Sequence, residues 1–186
     1  MAANSSNAVI FLIAALFDIA MCVFLLRVLL QLTSAHFHNP ISQLIWRLTN
    51  PVSGRLARAL PRWRRLDPAS AIVLLAIAMI YVRVVAACYN LSLGWPESCW
   101  IAILKVASLT LNLYTLSLFA IAIISWIGPG VSNPAANVLW SLNEPLLRPV
   151  RRLLPPISGL DLSPIPVMLA LQFADRLLPL PGLFHQ

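Results

Sequence analysis

When the sequence is shifted by 94 residues, its two arginine-bearing loops superimpose without a gap. Asn39-Pro40 falls on Asn133-Pro134, Trp46 on Trp140, Leu48 on Leu142 and Pro51 on Pro145. Arg58 falls on Arg152, Leu60-Pro61 on Leu154-Pro155, and Asp67 on Asp161. Trp, Pro and Asn are not interchangeable apolar filler. The matches therefore mark a duplication, and a duplicated unit constrains the fold before any single element does. The two units occupy residues 1–94 and 95–186.

Each unit flanks its loop with apolar stretches, at about 8–32 and 68–89 in the first and about 100–127 and 164–178 in the second. Roughly 20 apolar residues are needed for a helix to cross the hydrocarbon layer. The first three stretches meet that length. The fourth is stopped early by Pro179 and Pro181 and is counted as a span because its twin is one. The chain is 60% hydrophobic and 10% charged, with a mean hydropathy of +0.83. Soluble domains carry roughly 25% charged residues, so lipid is the natural solvent here. No Lys or Arg precedes Arg27, and the first apolar run is too long for a signal peptide, so it reads as a retained anchor. The expected fold is an all-α membrane protein with four transmembrane helices, arranged as two parallel helix–amphipathic loop–helix repeats. Two spans per unit bring both copies into the membrane in one orientation, about an axis along the membrane normal.

The net charge of +7 comes almost entirely from arginine. Arg47, Arg55, Arg58, Arg62, Arg64 and Arg65 lie in the first loop, and Arg148, Arg151 and Arg152 in the second. The N-terminal tail, the loop from Asn90 to Cys99 and the tail after Arg176 contain no Lys or Arg. Cytoplasmic loops carry the positive excess, so both basic loops are expected in the cytoplasm and both termini in the periplasm. Neither a folded basic domain nor a stacking surface accompanies the arginines, so no nucleic acid is expected as a partner. Anionic lipid head groups are expected instead, together with a membrane-protein partner or a second copy of the chain.

Inside each loop, Asn39 and Asn133 precede proline. Asn is a strong N-cap, and Pro suits the first helical position. The pattern predicts a short helix carrying Ile41, Leu44, Ile45 and Leu48 on one face, and in the second loop one carrying Val138, Leu139 and Leu142. Asn50-Pro51 and Glu144-Pro145 are expected to interrupt these helices and start second ones. Arg55, Arg58, Arg148, Arg151 and Arg152 form the basic side of an amphipathic segment lying in the membrane interface. Pro155 and Pro156 close the second loop in a compact turn. Asp67-Pro68 and Ser163-Pro164 are expected to cap the helices that follow.

The run from Asn143 to Pro164, NEPLLRPVRRLLPPISGLDLSP, resembles the signature of the YggT family. The first unit carries a degraded copy around Leu48-Thr49-Asn50-Pro51 and Leu60-Pro61, and Arg27 also matches that family's first repeat. In the first loop Asn50 and Val52-Ser53-Gly54 replace the Glu-Pro-Leu-Leu pattern. The resemblance implies a bacterial inner-membrane protein with relatives in cyanobacteria and chloroplasts. It further implies roles in osmotic or salt stress, cytochrome-complex assembly or division, for a protein that is not an enzyme.

Charged residues within apolar segments are functional candidates. Asp18 lies near the middle of the first span, and Arg83, Lys105, Asp175 and Arg176 lie toward the outer half. They are expected either to pair within the bundle or snorkel outward, or to mark an ion path centred on Asp18. Lys105, Ser108, Asn112 and Thr115 share one face of the third span and, with Gln172 and Asp175, are candidates for a polar seam. Glu144 and Asp161 are expected to cap helices, to pair with Arg148 and Arg151, or to form a docking face. Cys88 and Cys99 flank the outward loop and are candidates for a disulfide, provided their Cα atoms are close. His36 and His38 lack acidic or Cys companions and are read as solvated. No nucleophile–base pair, phosphate loop or zinc motif is present, so neither cofactor nor metal is expected. The expected function is a scaffold or assembly factor, with a small ion or osmolyte channel or transporter as the alternative.

Overall fold

The computed structural model describes residues 2–33, 39–58, 67–127, 133–153 and 161–184, with side chains from residue 8 and, in the fourth helix, up to residue 125. The described residues are helical throughout their regular structure: α1 (Ala2–Leu32), α2 (Pro40–Leu56), α3 (Pro68–Cys88), α4 (Trp95–Ile127), α5 (Pro134–Leu153) and α6 (Pro164–Leu177). A 3-10 turn, Gly182–Phe184, follows.

Three helices are long and apolar enough to cross a membrane, over Ala8–Leu32, Pro68–Cys88 and Trp95–Ser125. Backbone amides have no water to bond in hydrocarbon, so segments of this composition satisfy themselves as helices. The 14-residue α6 falls outside that group. At 1.5 Å per residue it spans about 21 Å, short of the roughly 30 Å hydrocarbon layer. Pro179 and Pro181 end it, and the chain then turns inward. Leu180 and Phe184 are buried in the main core with Met21, Leu25, Tyr81 and Val85.

That core joins α1, α3 and α4. A second apolar cluster joins α4, α5 and α6 through Leu118, Ile121 and Leu147, with Trp140, Val167 and Met168 against it. Leu30, Ile45 and Val138 form a third, where α1 meets α2 and α5. The amphipathic helices α2 and α5 thus lie together at one end of the bundle. Asn39 ties them: its Oδ1 accepts from the Ile41 N–H at 2.9 Å, and its Nδ2 donates to the Pro134 carbonyl at 2.6 Å. Asn133 caps α5 in the same way, accepting from the Ala135 N–H at 3.0 Å.

Two details differ from the sequence expectation. Each basic loop carries one continuous helix rather than two, and Pro51, Pro145 and Pro149 lie inside α2 and α5. A helical proline leaves the carbonyl four residues back without its partner. All three prolines are on the exposed side of their helices, where water can meet that carbonyl. The apolar face of α2 also divides. Ser42, Ile45, Thr49 and Ser53 face the bundle, while Leu44, Leu48 and Val52 are exposed. On that inner face Thr49 meets a charged group from α1, Arg27, and Ser53 donates to the Thr49 carbonyl.

Candidate functional site

Polar side chains gather at two levels. At the level of α2 and α5, each unit is closed by an aspartate paired with a guanidinium. In the first unit, Arg27 of α1 is buried in an otherwise apolar stretch. It donates from Nη1 to Thr49 Oγ1 at 2.7 Å and from Nη2 to Asp67 Oδ2 at 3.0 Å. Thr49 relays the contact by donating to the Ile45 carbonyl at 2.7 Å. Asp67 caps α3, accepting from the Ala69 N–H at 3.2 Å and from Ser70 Oγ at 3.1 Å. Gln31 Oε1 accepts from the Asp67 N–H at 3.2 Å. One arginine therefore fastens a surface helix and the base of the next span to α1.

In the second unit the aspartate is retained and the arginine comes from elsewhere. Asp161 Oδ2 accepts from Arg151 Nη2 at 2.7 Å and Nε at 3.0 Å, a two-pronged pairing from α5. Asp161 Oδ1 accepts from the Ser163 N–H at 3.0 Å and from Ser163 Oγ at 2.5 Å. Asp161 thus braces Ser163, the residue that precedes α6, whose own hydroxyl makes no capping bond to that helix. Arg151 also donates to Glu144 Oε2 at 3.1 Å and lies 5.1 Å over the Trp140 ring. Under the 94-residue shift, Arg27 corresponds to Ile121 and Arg151 to Ala57. Each unit keeps the acid and supplies one arginine from a different helix. The arginine-free position holds an apolar residue. Thr49 corresponds to Asn143, which accepts from Ser117 Oγ of α4 at 3.0 Å.

Burial pushes the Asp161 carboxyl up. The hydrogen bonds from Ser163 and Arg151 and the Arg151 charge outweigh it and hold the group below the usual carboxylate range.

Arg55, Arg58, Arg148 and Arg152 are exposed, with Leu44, Leu48 and Val52 on the same end of the bundle. Pro155 and Pro156 lie outside the described residues, as do His36, His38, Arg62, Arg64 and Arg65.

The second level lies within the apolar helices. Lys105 Nζ of α4 is 3.0 Å and 3.2 Å from the two carboxylate oxygens of Asp18 on α1, and 4.9 Å over the Tyr81 ring of α3. Tyr81 also packs edge-on against Phe184. One turn along α4, Ser108 Oγ donates to Asp175 Oδ1 of α6 at 2.6 Å, and Asn112 Nδ2 lies 3.4 Å from Asp175 Oδ2. Asn112, Thr115, Gln172, Asp175 and Arg176 line an open groove of about 460 Å³ between α4 and α6. The anticipated seam therefore divides: Lys105 turns inward to Asp18, and Ser108 and Asn112 turn to Asp175. Arg83 lies apart, donating to the Leu93 carbonyl at 2.9 Å with its guanidinium over Trp95. Cys88 and Cys99 are free, exposed thiols. Among the described residues no group of His, Cys, Asp or Glu is arranged to hold a metal.

Sequence reasoning singled out neither the Arg27–Thr49–Asp67 clamp nor Tyr81 as a site. The available signal was a buried-span arginine together with an aspartate shared by both units. Replacing Arg27 with Ala strands a carboxylate and is expected to cost about 3 kcal/mol of stability, read by reversible unfolding in mixed micelles. Adding Ala57→Arg to Arg27→Ile, which imports the second unit's arrangement, is expected to restore part of that loss. No restoration would show that the two arrangements are not equivalent. The second clamp has its own pH signature. A carboxyl held below its unfolded value of about 3.9 stabilises fully above that value and loses this contribution as pH falls through the depressed folded value. Acid titration is therefore expected to leave wild type unchanged down to about pH 4, with a smaller acid-dependent loss below that in Arg151→Ala.

The sequence profile of the CCB3/YggT family matches residues 6–87 and, again, residues 100–181, so both matched segments begin and end 94 residues apart. The chain is 36% identical to the uncharacterized protein PA0392 of Pseudomonas aeruginosa over 175 residues, covering 92% of this chain and 88% of that one. It is 36% identical to the uncharacterized protein YggT of Escherichia coli K12 over 166 residues, covering 89% and 86%. It is 35% identical to an uncharacterized Vibrio alginolyticus protein from the proC 3' region over 92% of this chain and 94% of that one. No solved structure matches it. By two profile matches that together cover most of its length, the chain belongs to the CCB3/YggT family.

Proposed function

We propose that this protein is a non-enzymatic scaffold or assembly factor of the bacterial inner membrane, which holds a basic two-helix platform against the cytoplasmic leaflet. In this reading α6 and the segment after it complete a fourth span. The two units stand parallel, and both termini face the periplasm. Osmotic or salt stress adaptation, cytochrome-complex assembly and division are the processes such a platform would serve. The observation that carries the reading is the coupling of α2 and α5. They are joined through Asn39, and each is clamped to the spans by a buried or half-buried arginine. That leaves Arg55, Arg58, Arg148 and Arg152 exposed beside an apolar stripe. Each arginine near an anionic surface contributes about 1 kcal/mol of attraction, and the exposed Leu44, Leu48 and Val52 suit the acyl boundary.

The second reading, an ion or osmolyte channel or transporter, is favoured by the polar groove at Asn112 and Asp175. Its other proposed element is engaged within the bundle: Asp18 is paired with Lys105, and Tyr81 beside them is fully buried against Phe184.

Arg148 and Arg152 are free of the internal clamps, so their reversal to Glu separates the two readings. The scaffold reading expects Arg148→Glu/Arg152→Glu to abolish proximity crosslinking from α5 to neighbouring membrane proteins at unchanged thermal stability. It expects Asp18→Asn to leave that crosslinking in place. Solute flux in vesicles that disappears with Asp18→Asn, and persists in the arginine variant, would overturn it. Sidedness has a separate test in the native thiols. Cys88 and Cys99 are expected to react with a membrane-impermeant maleimide added outside spheroplasts, and labelling only after lysis would invert the orientation.

A further inference from the structure

The two units each place one acid at the inner polar level, and the helices exchange it. Position 18 corresponds to position 112 and position 81 to position 175. The first unit has Asp18 and Tyr81 there, and the second has Asn112 and Asp175. Asp18 is neutralised by Lys105. Asp175 is buried and bonded to neutral groups, Ser108 and Asn112. Among the described residues, no Lys or Arg lies within ion-pairing distance of it. An unpaired carboxylate at this depth is costly, and such groups pair or face a cavity. Asp175 faces the α4–α6 groove, and Arg176, exposed and next in sequence, lines the same groove.

We propose that this groove is a self-association surface, in which Arg176 of the partner subunit enters the groove and pairs with Asp175, and the reverse pair forms across a two-fold axis. A two-fold interface requires a surface complementary to itself. This one is: it presents an acid beside a base, and its amides, Asn112 and Gln172, both donate and accept. Leu169 and Phe173, exposed on its wall, supply the apolar part of the contact. A small water-soluble ligand is the weaker occupant, because the groove opens sideways from apolar helices rather than at a bundle end. The inference depends on the membrane placement proposed above. A chain that labels as expected from both sides yet is monomeric overturns the pairing alone.

The test uses full-length protein in native membranes, with Cys22, Cys88 and Cys99 replaced by Ser and Gln172→Cys introduced. Oxidation is expected to give a disulfide-linked species of twice the chain mass. Phe11→Cys, exposed on α1, is expected to give none. Arg176→Asp is expected to reduce the linked fraction at least about tenfold, as loss of a buried interface charge does, and Arg176→Asp with Asp175→Arg to restore it. Should the double variant not fold, Arg176→Gln decides, since that side chain makes no ion pair in its own chain among the described residues. A monomer by mass measurement in lipid nanodiscs, a linked species of another mass, or a dimer indifferent to Arg176 would each overturn the proposal.

Discussion

The pairing of an aspartate with an arginine at the base of each unit is what allows this chain to be more than a set of apolar rods. Helices in lipid gain little from burying apolar side chains against one another, because acyl chains are as apolar as leucine. Orientation must come from polar contacts and close packing. Asp67 performs two tasks at once, ending the loop as the cap of α3 and receiving Arg27 from α1. Losing the first would leave backbone and hydroxyl donors of α3 unmet, and losing the second would leave the buried Arg27 without its counter-charge. The surface helix is included because Thr49 shares the same guanidinium. The helix α2 is therefore held by the interaction that starts α3.

The second unit reaches the same result by another route. Arg151 comes from the surface helix and not from the span. The pair is correspondingly more open, with Glu144 and Trp140 completing its surroundings. Residues of the second loop thus supply the whole clamp locally. In the first loop the arginine lies far upstream at position 27, and the loop is free to replace Glu-Pro-Leu-Leu with Asn50, Pro51, Val52 and Ser53.

Much of this was readable from residue order. The duplication, the Asn-Pro caps of α2 and α5, and the three long spans follow from rules that act within a few residues. Other features depend on distant partners. Arg27 meets an aspartate 40 residues away, and nothing local marks that distance. Pro51, Pro145 and Pro149 look like helix breaks until their exposed side is known, since water can replace the lost bond only there. On α2, Leu44 and Leu48 are exposed, while Thr49 faces inward and accepts from the buried Arg27. The seam of Lys105, Ser108, Asn112 and Thr115 was visible as a helical stripe, but its division between Asp18 and Asp175 was not.

The exchange of acid and arginine between units also explains why a duplicated chain is not internally symmetric. If both units carried arginine at position 27 and its counterpart, α1 and α4 would present like charges at the same level. In its place the second unit has Ile121, fully buried against Leu118 and Leu147. Deeper in the bundle, Lys105 is the only cation of α4, and it serves the first unit's acid. It can do so because α4 packs against both α1 and α3. Asp175 is left with hydroxyl and amide partners, Ser108 and Asn112, on the stripe of α4 that also carries Lys105. Position 105 corresponds to Phe11 in the first unit, so this cation belongs to one copy only. The groove at α6 is where that imbalance reaches the surface.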